Sequence, residues 1–173
     1  MTANVFQPEF DDQDASASSL SGDRSGFTWR TAKIGVQAGS ERLGASLYEL
    51  PPGQAICPYH AHLANEEMLI VLAGSPSLRT PAGWRRLEPG EVVSFPTGAD
   101  GAHQVANFSD SDTRVLMLSE MIGPEVAIYP DSCKVMVREQ PPGRPPMGYR
   151  KLFREVDEVG YWDGEGPPEP EGG

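Results

Sequence analysis

The sequence predicts an all-β domain with disordered acidic tails. Three observations carry this. Glycine and proline are frequent, 19 and 17 of 173 residues, and are scattered without period. Short apolar runs recur at roughly 8–12-residue spacing, bounded by turn residues, the pattern of a sandwich or barrel. No run is long enough for a core helix, and none approaches the ~20 apolar residues that span a bilayer.

The runs follow in order. TAKIGVQ covers 31–37 and RLGASLYEL 42–50, closed by Pro51-Pro52-Gly53. EEMLIVLAG covers 66–74 and stops at Gly74. SPSLRTP (75–81) and GWRRLEP (83–89) are divided near Pro81, and EVVSFP (91–96) follows Pro89-Gly90. AHQVANF covers 102–108, and a Ser/Asp turn separates it from TRVLMLSEM (113–121). KVMVRE (134–139) is the last clear strand. MGYRKLFREVDEVGYW (147–162) reads as one turn of helix or a late strand, and its period does not choose.

The net charge of −11 sits entirely in the tails. Residues 1–25 hold five acids and one base, and 155–173 hold seven acids and no base. The 13 acids and 13 bases left for 26–154 cancel. The expected division is a disordered 1–25, a β-barrel domain at 26–154 and a flexible acidic tail at 155–173. No basic stripe supports nucleic-acid binding. The N-terminus lacks a basic start and an apolar h-region, so a cytoplasmic protein without membrane attachment is expected. Cys57 and Cys133 are too few for a disulfide framework and read as small core residues.

All three histidines lie in two short segments. Strand period places His60 and His62 on one side of a sheet. Glu67 follows past LANE, and a hairpin would return it beside them. Its neighbour Glu66 then faces away. His103 opens the strand HQVAN. The arrangement around Gly53 to His62 and Gly90 to His103 hints at an internal duplication. Imidazole is the commonest metal-binding side chain and carboxylate adds a hard anionic ligand. Three nitrogens and one oxygen leave positions open on a divalent ion for substrate, water or O₂.

At these residues the chain resembles the cupins. Their first motif reads here Gly53-QAICPY-His60-Ala-His62-LANE-Glu67-MLIVLA-Gly74. The second reads Gly90-EVVSF-Pro96-Thr-Gly98-ADGA-His103-QVA-Asn107, with a four-residue gap before His103 where the family pattern has two. The resemblance extends over about 34–140. It implies a double-stranded β-helix, a small jelly-roll barrel, with a metal centre of His60, His62, Glu67 and His103 at its mouth. The ion would be Fe, Mn, Ni or Zn.

The resemblance further implies a metal-dependent enzyme acting on a small oxygenated organic molecule. A dioxygenase is one route, with a redox metal. A sugar or keto-acid isomerase is another, with a positioned base, for which Glu49 and Lys134 are the visible candidates. A non-catalytic small-ligand-binding cupin is the third. Tyr48, Tyr59, Gln104 and Met117 are candidate pocket walls, and Asn107 reads as a turn-closing residue. Exposed edge strands suggest a homodimer, with GYRKLF or VGYW docking on the body or the partner.

Overall fold

The alternation of inward and outward side chains sets the architecture. The computed structural model describes residues 1–11, 24–141 and 148–167. Among the described residues, twelve strands form three hydrogen-bonded sheets: β1 (Arg30–Ala32), β2 (Leu43–Leu50), β3 (Ala61–His62), β4 (Glu67–Ala73), β5 (Ser77–Thr80), β6 (Gly83–Arg86), β7 (Val92–Phe95), β8 (Gln104–Ala106), β9 (Thr113–Glu120), β10 (Glu125–Tyr129), β11 (Lys134–Arg138) and β12 (Arg150–Arg154). The five-stranded sheet runs β1-β2-β9-β4-β7, the four-stranded sheet β12-β11-β10-β3, and the three-stranded sheet β6-β5-β8. Isolated bridges, His60 to His103 and Ala55 to Ala106, tie the two smaller sheets together.

The two layers close on an apolar core. Leu69, Val71 and Val115 come from the five-stranded sheet, Leu78 and Val105 from the three-stranded one, and Ile56 from the connecting segment. Along β4, Glu67, Leu69 and Val71 point inward and are buried, while Met68, Ile70 and Leu72 are only half-buried. Both sets do not share one core, because strand period sends them to opposite faces. Leu72 packs outside, with Ala32, Ile34 and Leu47.

Gly74 ends β4 with φ at +72°, and a Cβ there would meet the Asp112 carbonyl at 2.8 Å. A side chain at that position would be strained by both conformation and space.

Several expectations are corrected. Residues 34–37 form one helical turn, α1 (Ile34–Gln37), rather than a continued strand. Gly35 lets α1 lie close on β2: a Cβ there would approach Ala45 N at 3.0 Å. EVAIY, which escaped notice as a run, is β10, and RKLFR resolves as the strand β12. Residues 1–11 are not a disordered tail. Ala3, Val5 and Phe10 pack on the outer cluster, Asp11 N donates to Thr31 O at 2.8 Å, and the Arg30 guanidinium lies 3.8 Å from the Phe10 ring centroid. A few apolar residues anchor a segment whose average composition is polar.

Residues 155–167 are described and exposed, beginning with a 3-10 turn at Glu155–Asp157, and give no support to a disordered tail. The rest of the N-terminal segment, 12–23, and the last residues, 168–173, lie outside the described residues. Cys57 packs against the core as expected, but Cys133 is exposed, at a left-handed φ of 46°. Among the described residues, no helix is long and apolar enough to cross a membrane.

Leu69 is 0% exposed, so Leu69→Ala should lower stability by about 2–5 kcal/mol in urea unfolding. Ile70→Ala, on the half-buried face, should lower it clearly less. Equal losses would contradict the inward and outward assignment.

Candidate metal centre

The inward face of the five-stranded sheet grades from apolar to polar along the barrel axis. Tyr48, Val115 and Val71 form one cross-strand row, and Ser46, Met117 and Leu69 the next. The last row is Gly44, Ser119 and Glu67. Glu67 is thus the final inward residue of β4, delivered to the mouth by the same alternation that buries Leu69.

The histidines arrive from the opposite layer. His60 and His103 exchange backbone hydrogen bonds, His60 N to His103 O at 3.1 Å and His103 N to His60 O at 2.8 Å. His62, in β3, pairs with Ala127 of β10. The expected hairpin between the histidines and Glu67 does not form. β3 and β4 lie in different sheets, and barrel closure brings the residues together.

All four side chains converge. His60 Nε2 lies 3.1 Å from His62 Nε2. Glu67 Oε2 lies 3.5 Å from His62 Nε2 and 3.4 Å from His103 Nε2. His60, His62 and Glu67 are buried, and their ligand atoms lie within 4.8 Å of one another, so the three could hold a metal ion. His103 sits beside them, stacked on Phe95 at 3.9 Å between centroids.

The donor set fits a cation. Nδ1 of His60 faces the Pro58 carbonyl at 2.9 Å, and Nδ1 of His103 faces the Gly101 carbonyl at 2.9 Å. A carbonyl only accepts, so both Nδ1 atoms carry hydrogen, and a neutral ring then presents a bare Nε2. His62 Nδ1 faces Glu125 Oε2 at 3.6 Å, a charge contact longer than a hydrogen bond. With its hydrogen there, His62 also turns a bare Nε2 inward. Facing lone pairs beside a carboxylate repel unless a proton or a shared cation lies among them. Outer contacts of this kind fix the tautomer of metal-binding histidines.

The electrostatics agree. Burial, then the neighbouring His103 and His62, pushes His60 down to about 3. Burial alone would raise the Glu67 carboxyl, but the facing His103 ring, with His62 and His60, outweighs it and holds the group at about 2. Burial opposes charge on His62 as well, yet Glu125 and Glu67 together raise it above its ordinary value.

Glu125 escaped the sequence reading. It is 0% exposed. Its Oε1 accepts from the Leu63 and Ala64 N–H groups at 3.2 and 3.3 Å, and its Oε2 from Asn65 Nδ2. Its one sequence signal was a charge at the inward phase of the overlooked strand EVAIY. Glu66 is exposed, accepting from Ser94 Oγ.

A cleft of about 550 Å³, counting its open mouth, adjoins Glu67 and is walled by Tyr48, Met117, Ser46, Ser119 and Lys33. Tyr48 and Met117 are therefore wall residues as expected. Tyr59 instead packs beneath the Arg79 guanidinium, and Gln104 donates to the Cys57 carbonyl. Asn107 closes its turn, donating to Leu50 O and Ser111 O at 2.8 Å each. Glu49 is engaged by Arg30 and Arg114, and Lys134 lies over the Tyr129 ring.

Fold and site together define a small β-barrel with a buried His/His/Glu group suited to a metal. Residues 46–119 match the Cupin_2 family, the cupin domain. A protein from Acidithiobacillus ferrooxidans assigned as a sugar phosphate isomerase superposes with a TM-score of 0.69 at 25% identity, over 78% of this chain and 81% of that one. A cupin-superfamily sugar phosphate isomerase from Silicibacter pomeroyi gives 0.72 at 20% identity, over 94% and 98%. A DMSP lyase from Ruegeria pomeroyi gives 0.51 at 23%, over 70% and 60%. No curated protein matches the chain.

The shifts set a pH dependence for chelator-treated protein. His60 is held below its ordinary 6.5, so proton uptake by the unfolded chain weakens the fold as pH falls from 6.5 towards about 3. Glu67 adds a loss in the same direction, from 4.5 towards about 2. The raised His62 contributes stability that is full below 6.5 and lost as pH rises through its folded value. Thermal midpoints should therefore fall between pH 6.5 and 4, and His60→Gln should flatten that fall. An unchanged slope in the variant would contradict the assignment.

Proposed function

We propose that this protein is a metal-dependent cupin enzyme acting on a small hydroxylated carbonyl compound, with isomerase-type proton transfer. The observation that carries the reading is the convergence of three imidazole Nε2 atoms on the Glu67 carboxylate, which also lines an open cleft. His60, His62, Glu67 and His103 would hold a divalent ion. Bound there, such an ion supplies a Lewis acid that polarises a carbonyl or hydroxyl oxygen.

The chain's own residues provide the rest. Tyr48 is half-buried at the cleft wall, and desolvation above all, then Cys57 and Glu67, keeps its hydroxyl protonated, with its pKa raised. It can donate a hydrogen bond to a substrate oxygen. Lys33 reaches the same cleft. Burial lowers it, and Arg138 adds to this against the raising influence of Asp11. A lysine so placed gives up its proton more readily and can act as a base. It would take a proton from the carbon beside the carbonyl and return it to the neighbouring carbon. Lys33 thus fills the role for which Glu49 and Lys134 were the sequence candidates. The likeness to the Acidithiobacillus protein supports the same class.

The test is turnover of a panel of aldose and ketose phosphates in D₂O, followed by NMR, with Mn²⁺ or Zn²⁺ supplied. Metal-dependent interconversion with solvent deuterium entering at carbon is expected. Oxygen uptake with phenols or keto acids, and no sugar turnover, would favour a dioxygenase instead. An ion at 100 times its dissociation constant should stabilise the fold by about 2.7 kcal/mol. His62→Ala should abolish that gain together with turnover. Lys33→Met should keep the gain and lose turnover.

A further inference from the structure

We infer that Arg138 and Arg150 form an anion-binding subsite beside the candidate metal centre, placed to take the phosphate of a phosphorylated substrate. The substrate assignment rests on the reading of the cluster as the reacting site. The anion binding itself does not.

The argument begins with strand register. Direct partners in an antiparallel ladder project to the same face. Glu125 pairs with Arg138, and Arg138 with Arg150, across β10, β11 and β12. Glu125 faces inward, towards His62, so both arginines lie on the inner face. Two rows along, Tyr129 pairs with Lys134, and Lys134 with Arg154. Tyr129 stacks on His60, with centroids 5.9 Å apart and planes 21° from parallel. Of the inward positions on these three strands four are cationic, and Glu125 is the single acid.

Like charges directly opposite one another on a sheet are destabilising. Glu125 offsets part of this charge, but it is one carboxylate in a row that holds two guanidinium groups. Arg150 Nε is buried and has no hydrogen-bond partner among the described residues. Arg138 lies within charge range of both His62 and Lys33. Through Arg138 the row thus acts electrostatically on one candidate ligand and on the cleft lysine. Guanidinium groups offer planar forks that match phosphate oxygens in pairs. An anion beside Arg150 would satisfy its buried donor and add negative charge to a row that holds two cations and one acid.

Inorganic phosphate is the probe, titrated calorimetrically into the full chain in chloride buffer. Saturable binding is expected. It should weaken at least tenfold in Arg150→Gln and in Arg138→Gln, and stay within twofold in Arg154→Gln, at the exposed end of the row two further along. If either glutamine variant fails to fold, Arg150→Lys keeps the charge but loses the fork and should still bind several-fold more weakly. For a pentose phosphate and its unphosphorylated sugar, Arg150→Gln should raise KM for the first alone, and phosphate should compete with the first.

No phosphate binding by the wild type, equal loss in Arg154→Gln, or non-competitive inhibition would overturn the subsite. His60→Ala separates the two readings: turnover should vanish while phosphate binding persists. Arginine-dependent phosphate binding without any sugar turnover would leave the subsite standing and remove the isomerase. Metal-dependent turnover of neutral sugars without phosphate binding would do the reverse.

Discussion

The reciprocal backbone hydrogen bonds between His60 and His103 are the constraint on which the site depends. They join the two histidine-bearing segments at one point, where the two smaller sheets meet. Each imidazole is then aimed by a carbonyl two residues before it in the chain, Pro58 for His60 and Gly101 for His103. The local geometry of two short loops thereby fixes which nitrogen turns inward. Gly101 is part of that geometry, since a Cβ there would overlap the Pro96 carbonyl. The longer second-motif loop, ADGA, forms a 3-10 turn at Ala99–Gly101 and still delivers His103 to its bridge.

The barrel separates stability from chemistry along its axis. One end holds the apolar residues that drive folding through burial. The other gathers imidazoles, carboxylates and a half-buried lysine, whose desolvation opposes folding. Period-two alternation lets both ends share the same strands. β4 contributes Val71 and Leu69 to the core and Glu67 to the mouth, without a change of face. β9 runs the other way, from Val115 through Met117 to Ser119.

How much of this was legible in the sequence follows from the range of each interaction. His60, His62, Glu67 and His103 were legible because ligand type and spacing are local, and the strand period orders Glu67 and Glu66 correctly. The partnership of β3 with β10 was not, since it depends on barrel closure across some 65 residues. Glu125 and the Arg138–Arg150 row were missed for the same reason: their meaning lies in cross-strand register, which a single sequence leaves unfixed. α1 was misread because one helical turn carries too few residues to show a period. Phe10 was missed because its neighbours are polar, although its contacts with Arg30 and the outer cluster are specific.

Glu125 links these levels. It is buried, and buried charge persists where it is paired and hydrogen-bonded. Backbone N–H groups of the β3–β4 turn, the Asn65 amide and the His62 ring supply those partners. Burial alone would raise its carboxyl, but His62 and Asn65 reverse the direction and hold it below its ordinary value. One carboxylate thus anchors the turn leading to Glu67, faces the ring of His62 and stands opposite Arg138 in the ladder. The strand that carries it was the least conspicuous in the sequence, yet it connects the candidate metal centre to the cationic wall.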